Sequence, residues 1–294
     1  MSDIASNNRR KPIRCGQRNC LLPRRTTMII DFHTHCFPDA LAPKALAKLS
    51  AIGGIPTHTD GTVADTVRTL HAAGIDRAVV CNIATNDRQT TNVNNFAIAA
   101  NAHPCLYSLG SVNPTSSVDF IDAELTRLAS SGIKGIKIHP DYMGVEIDDA
   151  RFDPIFTRAA ELGFFVITHA GWDFYSPDKL HASPTAIARV LDRHPQLKLV
   201  AAHFGGCRRW DEVKETLIGR RIWMDLSLTE AFSLDPTQYR QMILAHDPDC
   251  LLFGSDLPWC DPQKALTYLE RLNLPTDLME KICAQNALAL LGEK

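Results

Sequence analysis

Residues 28–36 read Met-Ile-Ile-Asp-Phe-His-Thr-His-Cys and combine a candidate buried strand with two metal-binding side chains. The run begins with apolar and β-branched residues, which favour a strand. Side chains alternate between the two faces of a strand, so Asp31, His33 and His35 are predicted to share one face. Two histidines on one strand face can hold one metal ion, although such a pair alone is a weak indication.

Seven further apolar runs follow this first strand, and amphipathic stretches separate them. The eight predicted strands are Met28–Phe32, Arg77–Ile83, Cys105–Ser111, Gly132–Ile138, Phe164–Thr168, Leu197–Ala202, Arg221–Leu226 and Cys250–Gly254. Strands so rich in Val, Ile, Leu and Phe are typical of a parallel sheet that is buried on both faces. Eight strands that alternate with helices predict an α/β fold, a (β/α)₈ TIM barrel, as one domain over residues 28–294. An open doubly wound sheet has the same alternation and stays an alternative.

The predicted helices have their own signals. Asp153 and Pro154 predict an N-cap followed by proline in the first helical turn, and Gly163 predicts the end of that helix. Ser117 is predicted to cap another helix, and residues 276–291 to form a final helix on the outside of the barrel. The longest insertion, over residues 36–61, is expected to lie over the mouth of the barrel.

Composition restricts the class of partner. The 294 residues carry a formal net charge of −2, which gives no reason to expect a polyanion such as nucleic acid. No apolar run approaches the roughly 20 residues of a membrane span. Nine cysteines form no CxxC pair, which favours reduced, packed thiols in a cytoplasmic protein. We expect a small-molecule substrate, with neither nucleic acid nor a membrane as partner, and a homodimer is left open.

Residues 1–27 differ from the rest of the chain. They contain one acid, Asp3, and seven basic residues: Arg9, Arg10, Lys11, Arg14, Arg18, Arg24 and Arg25. They lack the apolar core of a secretory signal. We predict a disordered basic extension, with a transit peptide as the alternative, and Met28 would be a natural start.

A chain that begins at Met28 is therefore expected to have the same melting temperature as the full chain and to keep its activity. Thermal unfolding of both chains measures this. A large loss of stability would show that the segment packs on the barrel.

Polar residues stand where the apolar strands end. His169 and His203 directly follow the fifth and sixth predicted strands, and Asp256 lies two residues beyond the eighth. In a parallel barrel these ends meet at one face, where such enzymes place their chemistry. Together with His33 and His35, the cluster would be costly to bury without a cation. Neutral imidazoles and a carboxylate suit zinc or another first-row divalent ion, with one position left for water.

Further candidates lie around this cluster. Lys137 and His139 share a face of the fourth predicted strand, and a lysine inside a barrel needs a partner or a modification. A salt bridge, a substrate contact, a carbamate between two metals and an outward lysine all stay open. Arg208 or its neighbour Arg209 could hold a substrate carboxylate, and Trp172 could line a substrate pocket.

Six short segments together resemble the amidohydrolase superfamily, and most closely its amidohydrolase-2 branch, which includes aminocarboxymuconate-semialdehyde decarboxylase and related decarboxylases. The segments, in the order of that family, are Asp31-Phe-His-Thr-His-Cys-Phe-Pro38, Gly135-Ile-Lys-Ile-His-Pro140, His169-Ala-Gly171, His203-Phe-Gly-Gly206, Phe253-Gly-Ser-Asp-Leu-Pro258 and Asn286-Ala287. Phosphoesterases of the PHP type need more His and acidic ligands, and TatD-like nucleases usually carry a glutamate where this chain has Lys137 and His139.

The resemblance implies a distorted barrel with one divalent metal, zinc or another ion such as manganese. It implies that His33, His35, His169 and Asp256 are the ligands. It also implies that His203 activates or positions the water, and Asp256 would help to orient it. Lys137, His139, Arg208 and Trp172 are the residues we expect to bind the substrate.

Three functions follow from these expectations. The first is a hydrolase, in which a metal-activated water attacks the carbonyl of an amide, lactone or ester. The second is a non-oxidative decarboxylase of a small carboxylated substrate, which an arginine on a carboxylate would favour. The third is a barrel with a structural metal and no activity. A structural site is closed by four ligands and needs no additional base, so His203 argues against the third.

Overall fold

The structure is a computed structural model that describes residues 28–293, and the predicted extension over residues 1–27 lies outside the described residues. The described chain contains eight strands, each of which overlaps a predicted one. They are β1 (Ile30–Thr34), β2 (Arg77–Cys81), β3 (Leu106–Leu109), β4 (Gly135–Ile138), β5 (Phe165–Thr168), β6 (Lys198–Ala201), β7 (Trp223–Asp225) and β8 (Leu251–Leu252).

The strands form two parallel sheets whose edges are joined. One sheet has the order β1-β2-β3 and the other β4-β5-β6-β7-β8. A parallel bridge between Gly110 and Ile136 connects β3 to β4, and a second between Thr34 and Leu257 connects β1 to the segment after β8. An open doubly wound sheet would leave two free edges, so the arrangement is the predicted α/β barrel.

Helices follow the strands as the alternation predicts. The α-helices of the described residues are Ala42–Gly53, Val63–Ala72, Thr90–Ala100, Val118–Ser130, Pro140–Met143, Asp153–Glu161, Pro184–Arg193, Trp210–Thr216, Pro236–Ala245, Pro262–Glu270, Thr276–Glu280 and Asn286–Leu291. Short 3₁₀ turns lie at Asp87–Gln89, Ala150–Phe152 and Pro248–Cys250, and a π-helical turn lies at Lys281–Gln285. The predicted final helix is thus two α-helical segments joined by the π turn.

One predicted cap is correct and one is wrong. The Ser117 hydroxyl accepts the N–H of Phe120 and caps its helix as predicted. Asp153 does not cap its helix, because a 3₁₀ turn precedes it and places Asp153 inside the first turn. The cap of that 3₁₀ turn is Asp149, whose carboxylate accepts the N–H of Arg151 at 2.9 Å.

The buried hydrophobic residues form two clusters, one between the strands and the surrounding helices and one in the interior of the barrel. The larger contains residues of the strands and of the surrounding helices. The smaller contains alternate strand residues, among them Ile30, Phe32 and Val200, and its helical members come from the last helix, which contributes Ala287 and Leu291. The end of the final helix therefore closes the interior of the barrel instead of packing only on its outside. Each fully buried large side chain contributes about 1.5–3 kcal/mol.

The insertion after β1 is anchored at the carboxyl end of the barrel. The Phe37 N–H donates to the Gly61 carbonyl at 2.8 Å, which closes the insertion, and the His58 N–H donates to the Pro258 carbonyl at 2.9 Å. Pro258 follows β8, so the insertion lies beside the predicted mouth. Among the described residues, no helix has the length and apolar character to cross a membrane.

His246 precedes Asp247 at a loop-like position, which predicts a surface side chain. The structure shows that this side chain is buried. Its Nε2–H donates to the Ile222 carbonyl at 2.9 Å, and its Nδ1 accepts the Gly219 N–H at 3.2 Å. Burial lowers the pKa of His246 below its usual 6.5. The neutral ring fits its partners, whereas a proton on Nδ1 would break the bond from Gly219.

This environment predicts a pH-dependent stability. The unfolded imidazole takes up a proton near pH 6.5 and the folded one at lower pH, so the unfolded state binds more protons as the pH falls. The contribution of His246 is complete above pH 6.5 and declines below it, by at most about 1.4 kcal/mol per pH unit. We expect His246→Asn to reduce the loss of stability between pH 7 and pH 5. Denaturant unfolding at both pH values measures it, with the exposed His71→Asn as control, and an unchanged pH dependence would contradict the assignment.

Candidate active site

His33 and His35 direct their Nε2 atoms towards the carboxylate of Asp256. The distances from these atoms to Asp256 Oδ1 are 3.5 Å and 3.1 Å. The other ring nitrogen of His33 lies 3.0 Å from Asp225 Oδ2, and that of His35 lies 2.8 Å from the Cys81 carbonyl oxygen. A carboxylate and a carbonyl only accept hydrogen bonds, so both Nδ1 atoms carry the hydrogen. In the neutral form of the two rings, both Nε2 atoms therefore present lone pairs to Asp256.

These three residues, which we call the strand-1 cluster, fit a divalent metal ion. Lone pairs of His33 and His35 against a carboxylate oxygen repel each other unless a cation lies between them. Their ligand atoms lie within 4.8 Å of one another. Two neutral imidazoles and one carboxylate match the ligands of zinc and related ions, and the acceptors on each Nδ1 are the usual partners that orient metal-binding histidines. Three ligands leave positions for water or substrate.

Lys137 lies inside the barrel, which excludes an outward lysine whose stem covers a helix. Its side chain is 1% exposed, and Nζ lies 3.1 Å from His33 Nε2. The ammonium group thus donates to the lone pair that faces Asp256. Burial, and then the charge of Lys137, lower the pKa of His33 well below its usual value. The group reaches the strand-1 cluster directly, at the atom where an ion would bind.

His169 lies beside the strand-1 cluster but faces another way. Its Nδ1 is 3.0 Å from His203 Nε2, and His203 Nδ1 is 2.8 Å from the Ser227 hydroxyl oxygen. The Ser227 hydroxyl donates to Asp225, so it accepts from His203 Nδ1–H. His203 Nε2 then accepts from His169 Nδ1–H, and the lone pair of His169 is on Nε2. Three of the four predicted ligands come together, and His169 as their fourth partner stays a prediction.

The Nε2 atom of His169 faces a second group of titratable side chains. The rings of His139 and His169 stack at 4.2 Å between centroids. Nε2 of His139 lies 3.7 Å from Asp173 Oδ2, and Nε2 of His169 lies 3.9 Å from the same oxygen and 3.9 Å from Asp141 Oδ2. Burial raises the pKa of Asp173 and lowers that of His139. We call His139, Asp141, His169 and Asp173 the strand-4/5 cluster.

Sequence reasoning missed Asp225, which supports the strand-1 cluster, and the two acidic members of the strand-4/5 cluster, although each follows a signal of the kind that identified Asp256. Asp225 ends β7, as Asp256 follows β8, and it accepts from His33 and from backbone N–H groups of His203 and Ser227. Asp141 and Asp173 lie two and four residues beyond the histidines after β4 and β5. A search for acidic residues at each strand end or in the first few residues after it would have identified all three.

The two predicted catalytic residues, His203 and Asp256, have a strained backbone conformation. His203 has φ 58° and Asp256 has φ 70°, a region that costs non-glycine residues about 1–3 kcal/mol. The His203 N–H donates to Asp225 Oδ1 at 3.2 Å, and the Asp256 N–H donates to the His33 carbonyl at 2.8 Å. Such strain persists only where the surroundings enforce it, as functional sites often do.

Gly171 locks the loop that carries Trp172 and Asp173 against the loop after β6. Its φ is 89°, and a Cβ atom there would lie 2.2 Å from the Cys207 backbone nitrogen. The Cys207 N–H donates to the Ala170 carbonyl at 2.8 Å. Only glycine allows the backbones of the two loops to lie this close, so the position of one loop against the other is fixed.

The two arginines after β6 have different environments. Arg209 pairs with Glu212 at 2.8 Å. The guanidinium carbon of Arg208 lies 4.5 Å from the Trp172 ring centroid and 5.8 Å from that of Phe232, which are cation–π distances. Arg208, and not Arg209, is therefore the cation beside an aromatic surface.

Comparison with known proteins agrees with this geometry. The model of the Amidohydrolase family matches residues 30–292, almost the whole described chain. The chain belongs to that enzyme family, in its amidohydrolase-2 branch. No curated protein matches the chain significantly.

Solved structures share the fold at low sequence identity. A TIM-barrel protein from Bordetella bronchiseptica is 20% identical, with a TM-score of 0.70, and the match covers 90% of this chain and 100% of that one. A 5-carboxyvanillate decarboxylase from Novosphingobium aromaticivorans, solved with manganese and a nitrobenzoic acid, is 14% identical with a TM-score of 0.65, over 91% and 96%. A probable 2-pyrone-4,6-dicarboxylic acid hydrolase from Acinetobacter baumannii, with citric acid bound, is 16% identical with a TM-score of 0.61, over 90% and 99%.

Proposed function

We propose that this amidohydrolase family member is a metal-dependent hydrolase that cleaves a small-molecule amide, lactone or ester. The observation that carries the proposal is the pair of imidazole lone pairs that face the Asp256 carboxylate at 3.5 Å and 3.1 Å. Zinc is the ion we propose for His33, His35 and Asp256. His169 is proposed as a metal ligand through Nε2, its nitrogen with a lone pair.

The ion would supply Lewis acidity and lower the pKa of water at the site towards ~7. We assign the remaining work to the chain's own residues. Nε2 of His203 accepts from His169 Nδ1–H while Ser227 holds Nδ1. In the proposed reaction Nε2 exchanges this bond for one to the attacking water, takes the proton of that water and returns it to the leaving group. Asp256 orients the water, and the Lys137 ammonium stabilises negative charge that develops on the substrate oxygen.

Decarboxylation is the second candidate, favoured by the surface that Arg208 forms with Trp172 and Phe232. A guanidinium group beside aromatic rings suits an aromatic carboxylate, since it can pair with the acid while the rings stack. The neighbour from Novosphingobium is named as a decarboxylase, and the one from Acinetobacter as a hydrolase. The two reactions share the strand-1 cluster and differ in the bond that breaks.

A substrate screen on protein loaded with Zn²⁺ or Mn²⁺ tests both candidates. It follows ester, lactone and amide cleavage together with CO₂ release from aromatic acids. Hydrolysis without CO₂ release supports the proposal. CO₂ release without hydrolysis replaces it with the second candidate. A protein that binds no divalent ion, and whose rates no added ion changes, contradicts both.

A further inference from the structure

Asp225, the last residue of β7, is bonded to two histidines that the proposed function uses. The residue is fully buried, and its Oδ2 accepts the Nδ1–H of His33 at 3.0 Å. Its Oδ1 accepts the Ser227 hydroxyl, and the Ser227 oxygen accepts the Nδ1–H of His203 at 2.8 Å. One carboxylate is therefore joined to the proposed ligand His33 directly and to the proposed base His203 through one hydroxyl.

The contact between Asp225 and His33 depends on a glycine that lies between them. The segment of β8 separates β7 from β1 in the barrel, and Gly254 lies two residues after β8. A Cβ atom on Gly254 would lie 3.2 Å from the Cβ atom of His33 and 3.4 Å from that of Asp225. Because the glycine has no side chain, the carboxylate can reach past β8 to the histidine.

The carboxylate sets the direction of the hydrogen bonds in this network. A carboxylate only accepts, so His33 and Ser227 both donate to it. Ser227 gives its one hydrogen to Asp225, so its oxygen accepts from His203. His203 Nε2 then carries a lone pair, which accepts the Nδ1–H of His169 at 3.0 Å. The lone pairs of His33, His203 and His169 are consequently all on Nε2.

Two further observations agree with this arrangement. The Lys137 ammonium can only donate, and its Nζ lies 3.1 Å from His33 Nε2, so that nitrogen carries a lone pair. Burial lowers the pKa of His33 and of His203 well below the usual value, so both rings are neutral at neutral pH. A neutral ring has one hydrogen, and its position on Nδ1 leaves the Nε2 lone pair free.

Asp225 also holds the backbone beside these side chains. Its Oδ1 accepts the N–H groups of His203 and Ser227 at 3.2 Å each. The φ of 58° at His203 is strained, and such a conformation persists only where the surroundings enforce it. Every side-chain nitrogen and oxygen of Asp225, Ser227 and His203 has a hydrogen-bond partner, so this network is complete without an ion of its own.

We propose that Asp225 is a positioning residue of the active site, which fixes the ring hydrogens of the proposed ligands and of the proposed base together. One path leads to His33 directly. The other leads through Ser227 to His203 and from there to His169. The inference rests on the proposed function, in which the Nε2 lone pairs hold the ion and take the proton. It adds that metal binding and proton transfer depend on one buried carboxylate.

The variants Asp225→Asn and Ser227→Ala separate the two paths. In Asp225→Asn the amide oxygen can accept from Ser227 and the backbone N–H groups, which turns the amide nitrogen, a donor, towards His33 Nδ1. We expect the Nδ1–H form of His33 to be lost and the Zn²⁺ affinity to fall about 10–100-fold, the usual range for a lost partner of a metal-binding histidine. Ser227→Ala removes only the acceptor of His203, so the His203 ring is expected to exchange between its two neutral forms while His33 keeps Nδ1–H.

Proton–nitrogen NMR of the histidine rings in isotope-labelled, metal-free protein measures which ring nitrogen carries the hydrogen. A carboxylate that only supports the fold would not determine this position. Competition with a chelating dye measures the Zn²⁺ affinity, and His33→Asn and His203→Asn assign the ring signals. Asp178→Asn, which changes an exposed acid in the loop after β5, is the matched control and should equal the parent protein in both measurements.

If His33 keeps Nδ1–H in Asp225→Asn, or if that variant binds Zn²⁺ as tightly as the parent, the inference is overturned. If the rings respond as expected but the parent itself binds no Zn²⁺, the positioning of the rings by Asp225 is supported and the proposed function is contradicted. Should Asp225→Asn fail to fold, Ser227→Ala decides alone. A mixture of His203 ring forms in that variant supports the inference, and an unchanged Nδ1–H form overturns it.

Discussion

Asp256→Asn is expected to lose the ion of the strand-1 cluster and to lower turnover by about 10³-fold, because a catalytic metal supplies several kcal/mol of transition-state stabilisation. The amide removes the charge that completes the site with His33 and His35. Its N–H can donate to the lone pair of His35 Nε2, which lies 3.1 Å from the carboxylate oxygen. The metal-free variant should therefore fold and melt no lower than the metal-free parent. Steady-state rates and metal content, measured together, test this.

Asp39→Asn, which changes an exposed acid in the turn after β1, is the matched control and should keep both metal and rate. If Asp256→Asn keeps its full metal content and turns over at the parent rate, Asp256 is neither a ligand nor a catalytic group. If the rate falls while metal content is unchanged, Asp256 acts on water or substrate but does not hold the ion. The two measurements thus separate its proposed roles.

The barrel could be predicted because its strands are buried on both faces. Continuous apolar runs mark such strands in the sequence, and polar residues such as Asp256 stand where they end. Helix starts were harder to place, because a cap depends on local backbone geometry. Asp153 precedes a proline and looks like a cap, yet the 3₁₀ turn capped by Asp149 moves the start of the helix.

The candidate site also has a part that the sequence predicts and a part that it does not. Convergence of His33, His35 and Asp256 follows from strand order, since barrel topology brings β1 beside β8. The direction of the His169 ring does not follow from order. It depends on a hydrogen-bond chain through His203 and Ser227, which follow β6 and β7. A sequence identifies which strand end carries a histidine but not which of its nitrogens keeps the lone pair.

His203→Ala is expected to keep the ion of the strand-1 cluster and to lose turnover by a factor on the order of 10²–10⁴, the usual range for a lost general base. His203 stacks on the ring of His33 at 5.0 Å between centroids, yet its nitrogens bond to Ser227 and His169. It is thus adjacent to the proposed ligands without facing Asp256. Metal analysis and steady-state rates on the substrate found by screening measure the two effects.

A rival assignment makes His203 a ligand to a second metal ion, bridged to the first by a carboxylated Lys137, and predicts that His203→Ala loses about half of the bound metal. The Lys137 ammonium lies 3.1 Å from His33 Nε2, on the strand-1 cluster, whereas His203 Nε2 accepts from His169, so we expect no such loss. His203→Asn provides a second variant, because asparagine tolerates the positive φ of 58° at this position. It should lose turnover as His203→Ala does. If both variants keep their metal and turn over at near the parent rate, His203 is a structural residue that orients His169, and the proton must be handled elsewhere in the site.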